Sequence, residues 1–288
     1  MSPVSPSSGK TRLEAHIAAW IRPRLPFFAA EFITFGLKQA WACLYAALML
    51  ALIIGTKLVW QPGWPIARYD FLTITAVIIQ FLLLYLRLET PREAGVILIY
   101  HIVGTLMEIF KTHVGSWAYP EPSLLRIGGV PLFTGFMYAC VGSYMVRVIR
   151  MFDMRFEPYP PFWTTLLLAG AIYANFFTHH YMIDLRYPLM ATTLLLFGRT
   201  RIHFTPHEKT YWMPLPLAAF LTAFFLWVAE NIGTYTGTWL YPGQKTWHLV
   251  SFSKMGSWYL LLFLSFVLVT LVHRPQGRER ISRACVRP

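Results

Sequence analysis

The sequence predicts an all-α fold, a polytopic membrane bundle of about eight transmembrane helices in two parallel four-helix repeats. Hydrophobic residues make up 56% of the chain and charged residues only 13%, against about 25% charged residues in soluble domains. Apolar runs of roughly 20 residues, the length that crosses a bilayer, recur along the sequence. A polar motif also recurs at a fixed offset, which indicates a duplication.

The predicted elements follow in order. Residues 1–27 form a cytoplasmic tail in which Thr11–Arg22 places its apolar side chains on one face, as an interfacial helix does. The apolar runs that predict spans lie near 36–59, 70–86, 94–111, 130–149, 162–180, 184–198, 212–232 and 249–272. Residues 28–157 form the first repeat, 158–273 the second, and 274–288 a basic cytoplasmic tail.

The distribution of basic residues predicts the orientation. Seven of the 25 lysines and arginines fall on one face, namely Lys57, Arg68, Lys111, Arg126, Arg186, Lys245 and Lys254. The other 18 lie in the tails, at the start of the first run or in the loops of the opposite face. By the positive-inside rule both termini are cytoplasmic, in a multi-pass protein of the bacterial inner membrane. The net charge of +12 therefore indicates contact with the lipid bilayer and not with nucleic acid. The oligomeric state stays open.

The repeated motif is the most specific signal in the chain. Its pattern is E-x6-G-[ST]-W-x-Y-P, and every matched position is offset by 122 residues. The first copy runs from Glu108 through Gly115, Trp117 and Tyr119 to Pro120, and the second from Glu230 through Gly237, Trp239 and Tyr241 to Pro242. Repeats with an even number of spans share one orientation, so both copies are expected on the non-cytoplasmic face.

The two motif glutamates are the candidate catalytic acids. A carboxylate within a span costs about 2.5–3.5 kcal/mol on insertion scales, which makes a functional role the default reading. His101 lies seven residues before Glu108 on the same helix face, and we count it as a candidate base or ligand; the alternative is a buried histidine whose hydrogen bonds are satisfied. The structural alternative is that Glu108 and Glu230 satisfy the tryptophan and tyrosine donors of their own motifs. For Asp70 a role at a helix start is expected, and for Lys254 a role at the membrane interface.

Aromatic and polar side chains around the glutamates are the candidate substrate-binding residues. They are Trp117, Tyr119, Trp239, Tyr241 and Asn175. Aromatic faces can stabilise a cation that forms on a substrate. The same residues are also usual in the interface belt of a membrane protein.

Three further residues form a candidate metal site. His180 and Asp184 are four residues apart, so one helix face can present both, and His179 adjoins them. Imidazole and carboxylate ligands suit zinc or iron, so a divalent metal is a candidate cofactor. The His-Glu-x-x-His pattern of zinc proteases is absent, and no nucleotide-binding motif occurs, so no nucleotide cofactor is expected.

The motifs resemble those of a known family. The repeated motif, followed by Arg126-Ile-Gly-Gly-Val-Pro131-Leu and later by Asn175-Phe-Phe-Thr-His179-His180-Tyr-Met-Ile-Asp184, is similar to the bacterial membrane family called domain of unknown function 817. The similarity runs from about Phe32 to Val272 and implies a membrane fold without implying an activity. One helix pair also resembles membrane carotenoid hydratases, in Glu108, Gly115, Tyr119 and Gly129-Val-Pro131-Leu132.

These observations lead to three functional hypotheses. The first is an intramembrane enzyme whose acid–base chemistry hydrates, cyclises or isomerises a lipid or isoprenoid substrate, a hydrophobic small molecule. The second is a transporter of a small molecule or lipid with a protonatable site between paired halves. The third is a membrane scaffold without catalysis.

Overall fold

The computed structural model describes residues 26–61, 63–86, 88–243 and 248–272. The predicted interfacial helix Thr11–Arg22 and the basic tail 274–288 lie outside the described residues. Within the described ranges the chain forms nine helices and two small sheets. The helices are α1 (Phe27–Ala42), α2 (Leu44–Val59), α3 (Arg68–Tyr85), α4 (Pro91–His113), α5 (Phe133–Met151), α6 (Phe162–Thr178), α7 (Arg186–Phe197), α8 (Leu215–Tyr235) and α9 (Phe252–Val272).

Four helices are long and apolar enough to cross a bilayer. They are α3, α4, α8 and α9, and the pair α1–α2, bent by 62°, would make a fifth. Each predicted apolar run coincides with a helix or with this pair, but a count of eight crossings is not confirmed. The 12 residues of α7 rise only about 18 Å, short of the roughly 30 Å hydrocarbon core. Helix α5, with 19 residues, is not among the four helices that are apolar enough to span, and it carries Arg147 and Arg150 near its end.

The outward surface of these helices is apolar. On α8 alone, Leu217, Phe220, Phe224 and Val228 are exposed and do not line the internal cavity. Soluble monomers rarely expose so continuous an apolar surface, whereas helices in lipid satisfy their backbone hydrogen bonds internally and present such a surface outward. The protein is therefore a mostly helical membrane protein, as the composition predicts.

Two small antiparallel sheets were not predicted from the sequence. Strands β1 (Arg126–Ile127) and β2 (Val130–Pro131) form a hairpin before α5, and β3 (Arg155–Glu157), β4 (Arg201–Phe204) and β5 (Tyr211–Pro214) form a three-stranded sheet. These strands have two to four residues each, too few to show an alternating pattern. The three-stranded sheet joins the ends of α5, α7 and α8 that lie away from the repeated motif.

Close contact between α4 and α5 positions the site. A Cβ on Gly104 of α4 would come within 2.6 Å of the Tyr138 side chain, and a Cβ on Gly142 of α5 within 2.8 Å of Tyr100. The two glycines therefore let an aromatic ring of each helix lie directly on the backbone of the other. Helix α4 begins with a capping box, because Thr90 and Glu93 each accept a backbone hydrogen bond from the other.

The layer above the site is held by charged residues at the start of α3. Asp70 lies in the first turn of its helix and accepts hydrogen bonds from the backbone N–H groups of Leu124 and Leu125, so it fastens the loop before β1. Arg68 donates to Glu121 at 2.7 Å and to the hydroxyl of Thr238 at 3.1 Å. One helix start therefore holds the loops that follow both α4 and α8.

Candidate functional site

The first motif encloses the carboxylate of Glu108 with three donors. The indole N–H of Trp117 donates to Glu108 Oε2 at 2.7 Å, and the hydroxyl of Tyr119 donates to the same oxygen at 2.6 Å. The hydroxyl of Tyr138, from α5, donates to Oε1 at 2.8 Å. Glu108 itself is only 4% exposed, so these three bonds replace the water that it has lost.

The second motif encloses Glu230 in the same way. Glu230 Oε1 accepts from the indole N–H of Trp239 at 2.9 Å and from the hydroxyl of Tyr241. Its Oε2 accepts from the indole N–H of Trp258, on α9, at 3.2 Å. In both copies the motif's own tryptophan and tyrosine share one carboxylate oxygen, and an aromatic donor from the next helix takes the other. These are the hydrogen bonds expected if Glu108 and Glu230 satisfy the tryptophan and tyrosine donors of their own motifs.

The turn between each glutamate and its aromatic partners depends on glycine. Gly115 has φ of +73° and Gly237 has φ of +65°, a backbone region that residues with a Cβ adopt at a cost. The N–H of Ser116 donates to the carbonyl of Lys111, and the N–H of Thr238 donates to the carbonyl of Gly233. These left-handed caps end α4 and α8 and direct the following chain back over the glutamate.

The two motifs also bond to each other. The N–H of Ala118 donates to the carbonyl of Leu240 at 2.9 Å, and the N–H of Leu240 donates to the carbonyl of Ala118 at 3.0 Å. The two residues occupy equivalent motif positions, 122 residues apart. Trp117 packs edge-on against Tyr241 of the other copy, with ring centroids 6.0 Å apart. The motifs therefore form one structural unit.

Both glutamates open onto one large cavity of about 960 Å³. Its polar end contains Glu108, Glu230, Lys111, Lys254, Arg186, His179, His180 and Asn175 together with the motif aromatics Trp117, Tyr119, Trp239 and Tyr241. The rest of its wall is mostly apolar and reaches Phe204 and Met213 of the three-stranded sheet. This volume is near the upper end of the about 300–1,000 Å³ that ligand pockets occupy.

Lys111 and two histidines form the second polar group of the cavity. The amino group of Lys111 lies 2.8 Å from His180 Nε2 and 3.4 Å from His179 Nε2, and it lies over the ring of Phe176. His179 Nδ1 lies 2.9 Å from the carbonyl of Asn175, which can only accept, so this nitrogen carries the proton. Its Nε2 is then free to accept from Lys111.

The pKa shifts of His179, His180 and Tyr119, which lie outside the helices, agree with this arrangement. Burial lowers the pKa of His180 to about 4, and the positive charges of Lys111 and Lys254 add to the effect. Burial lowers the pKa of His179, and the charge of Lys111 adds to the effect, although the hydrogen bond to Asn175 opposes it. Both imidazoles are therefore neutral at pH 7 and accept from Lys111. Burial and the charge of Glu108 raise the pKa of Tyr119, so this tyrosine stays a donor.

The structure does not bring His179, His180 and Asp184 together as metal ligands. Asp184 forms an ion pair with Arg186 at 3.2 Å, and it accepts from the backbone N–H of Arg186 and from the amide of Asn175. The histidine Nε2 atoms point to the amino group of Lys111, whose positive charge opposes a metal cation. In the described part of the chain, no three His, Cys, Asp or Glu side chains are grouped so that they could hold a metal ion.

His101 is the one predicted catalytic residue that lies away from the cavity. Its ring packs against Phe136, with centroids 4.3 Å apart, and it occupies the space that the missing side chain of Gly135 leaves. The helical spacing predicts a shared face with Glu108, but two turns deeper this face is covered by α5. Asn175 does line the cavity, where its amide also holds the backbone N–H of Leu185.

Several residues of the site were not among the predicted site residues. Tyr138 and Trp258 complete the glutamate shells, and Lys111, Arg186 and Lys254 supply positive charge. Lys254 was expected at the membrane interface, yet it lies over the ring of Tyr241 at 4.1 Å, within the cavity wall. The available signal was its position near the outer end of the last apolar run, close to the second motif in the predicted topology.

Comparisons with known proteins assign the chain to a family. The model of the family described as "Protein of unknown function (DUF817)" matches residues 31–266. The chain is also similar to "Uncharacterized protein YoaT" of Bacillus subtilis (strain 168), with 42% identity over 240 residues that cover 83% of this chain and 90% of the relative. No solved structure matches the chain. These comparisons give no support to the resemblance to carotenoid hydratases. The chain belongs to the DUF817 family.

Proposed function

We propose that the protein is an intramembrane enzyme that applies acid–base chemistry to an elongated lipid or isoprenoid substrate. One observation carries the proposal, namely that Glu108, Glu230 and the Lys111–His180 pair all open onto a single cavity whose remaining wall is largely apolar. Titratable groups that converge in a cleft are typical of catalytic sites. A mostly apolar wall suits a substrate that enters from lipid.

In the proposed chemistry Glu108 in its acid form gives a proton to a carbon–carbon double bond of the substrate. The π electrons form the new C–H bond, and the cation on the neighbouring carbon lies among the aromatic faces of Trp117, Tyr119 and Tyr241. The cation then adds water, is attacked by a second double bond of the substrate, or loses a proton to a base. These outcomes are hydration, cyclisation and isomerisation. Each outcome releases one proton, and the carboxylate of Glu108 takes it back, which restores the acid form.

The proposal includes the arrangement of two parallel four-helix repeats, 28–157 and 158–273, with eight spans. Its support is the equivalent caps of the two motifs and the reciprocal hydrogen bonds of Ala118 and Leu240. Reciprocal contacts of this kind are what a two-fold relation requires.

The proposal also places the protein in the bacterial inner membrane with both termini in the cytoplasm. The support is the excess of basic residues on one face. A reporter fused after Pro288 should be active only in the cytoplasm, and one inserted after Gly243 only on the other side. If both reporters are active on the same side, the number of spans is different.

The test of the enzyme is a comparison of apolar lipids in cells that make the wild-type protein or Glu108→Gln. With wild-type protein, mass spectrometry of lipid extracts should show one lipid pool converted to a hydrated or isomeric product, and with Glu108→Gln this product should be lost. Equal amounts of folded protein, by size-exclusion chromatography in detergent, are the control. Identical lipid profiles for wild-type protein and for cells without it would overturn the proposal.

Transport is the second candidate, because the cavity reaches from the motif end to Phe204 and Met213 near the opposite ends of the helices. A transporter would move its substrate between leaflets of a reconstituted vesicle without changing its mass. The enzyme would change the product pattern in the same vesicle.

A further inference from the structure

The two lysines of the cavity make no direct ion pair with its carboxylates. In the residues that the structure describes, neither Lys111 nor Lys254 has a carboxylate oxygen within 4.0 Å. The neighbours of Lys111 are two imidazoles and the ring of Phe176, and those of Lys254 are the rings of Tyr241 and Trp117. Lys111 is only 3% exposed. Buried charges in proteins are normally paired, so a buried lysine beside a second lysine without an ion pair, on one cavity wall, requires an explanation.

The carboxylates of the cavity do not provide the missing partner. Those of Glu108 and Glu230 are each bonded by three aromatic donors, so both oxygens of each are already occupied. Asp184 is bound to Arg186, whose guanidinium also donates to the carbonyl of Ser253 at 2.9 Å. Burial is the largest cause of the lowered pKa of His180, and the charges of Lys111 and Lys254 lower it further, so both lysines act on this end of the cavity.

An apolar channel leads away from this positive end. On α8 the cavity is lined by one helix face, with Ala218, Leu221, Thr222, Phe225, Leu226 and Ala229 leading up to Glu230. From Ala218 to Glu230 this face extends about 18 Å at 1.5 Å per residue. The bent pair α1–α2 also contributes to the wall, with Phe35, Cys43, Ala46 and Leu50. The channel is therefore long and largely apolar, with the two lysines at one end.

We infer that the cavity binds a single-chain amphiphile whose anionic, oxygen-bearing head group lies between Lys111 and Lys254 and whose apolar chain follows α8. The inference rests on the same cavity as the proposed function and names its substrate class. Phosphate and carboxylate head groups share the required chemistry, since both accept charge-assisted hydrogen bonds from ammonium groups. The head group supplies the partner that both lysines lack, and the chain covers apolar wall that would otherwise face water or lipid.

Binding to the purified protein tests this inference without any assay of activity. The protein in a neutral maltoside detergent is titrated with dodecyl phosphate or dodecanoate, and bound ligand is counted by native mass spectrometry. One bound anionic amphiphile per protein is expected, together with a rise in the unfolding temperature. Dodecanol, which has the same chain without the charge, and inorganic phosphate, which has the charge without the chain, should each bind at least about tenfold more weakly.

Variants locate the head group. Lys111→Gln and Lys254→Gln should each weaken binding of dodecyl phosphate by about tenfold or more, because each removes one charged donor. Lys111→Arg keeps the charge and should retain most of the affinity even if Lys111→Gln folds poorly. Lys57→Gln is the matched control, since Lys57 lies exposed near the same end of the bundle and does not line the cavity, and it should bind as the wild-type protein does.

Three outcomes would overturn the inference. They are equal binding of dodecanol and dodecyl phosphate, equal binding of inorganic phosphate alone, and unchanged affinity in both glutamine variants. If the wild-type protein converts no lipid, or Glu108→Gln forms the same product, the proposed enzymatic function is wrong and the binding result still stands. Loss of binding with intact lipid conversion would remove this inference alone.

Discussion

Replacing each motif glutamate by glutamine probes how the two carboxylates are held, because their third donors differ. Next to Glu108 this donor is the hydroxyl of Tyr138, which can rotate and accept a hydrogen bond instead. Next to Glu230 it is the indole N–H of Trp258, which can only donate. Glutamine keeps one acceptor oxygen and replaces the other with an NH₂ donor. The same substitution therefore fits one site and conflicts with the other.

The difference in stability between the two variants follows from the hydrogen bonds that each glutamine can form. In Glu108→Gln the amide oxygen can face the two motif donors while the NH₂ donates to Tyr138, so every group keeps a partner. In Glu230→Gln the NH₂ faces the N–H of Trp258, and a buried donor is left without an acceptor. Because such a donor costs about 1–3 kcal/mol, Glu230→Gln should lower the free energy of unfolding by about 1–3 kcal/mol more than Glu108→Gln.

Chemical denaturation of the purified protein in a neutral detergent measures this difference. The double variant Glu230→Gln with Trp258→Phe removes the conflicting donor and should be more stable than the sum of the two single effects predicts. Equal stability of Glu108→Gln and Glu230→Gln, or additive effects in the double variant, would refute the reasoning.

Three further perturbations test other contacts. Gly233→Ala should lower the free energy of unfolding by at least about 1–3 kcal/mol, since its Cβ would lie within 1.8 Å of a motif indole, while Gly170→Ala, with open space around it, should not destabilise. Arg147→Met leaves the charge of Glu89 buried without its partner and should cost about 3–5 kcal/mol in the same denaturation assay; wild-type stability would contradict the buried ion pair. The lowered pKa of His180 stabilises the fold above pH 6.5, so the unfolding temperature should fall between pH 6.5 and about 4, and less so in His180→Gln.

The repeat made part of the site predictable. The spacing E-x6-G-[ST]-W-x-Y-P suggested that each glutamate could hold its own tryptophan and tyrosine, and the hydrogen bonds of both copies confirm this. The third donors could not be predicted in the same way. Tyr138 and Trp258 come from the following helices and stand 120 residues apart, so the offset of 122 does not relate them.

Helical spacing alone could not decide which neighbour a face contacts. His101 shares a face with Glu108, yet the packing of α5 covers it, and Gly135 provides the space. The same limit applies to His180 and Asp184. The spacing i and i+4 assumed that one helix continues through both, whereas α6 ends at Thr178 and the chain turns before α7.

Equivalent positions of the two repeats also carry different residues. Lys111 in the first copy corresponds to Gly233 in the second, where the ring of Trp239 takes the space. A search for matched residues finds the shared scaffold and overlooks the positions at which the copies differ. Here the difference places the buried ammonium group in one half only.

The reciprocal bond between Ala118 and Leu240 has a consequence for biosynthesis. The peptide groups of Ala118 cannot be paired until residue 240 has been made, 122 residues later. At synthesis rates of about 5–20 residues per second this interval lasts roughly 6–25 s, during which the first four predicted spans can already enter the membrane. Closure of the motif end of the cavity is therefore a late event in the maturation of the chain. A nascent chain that stops short of the second motif would present an open cavity to the translocation machinery and to membrane proteases.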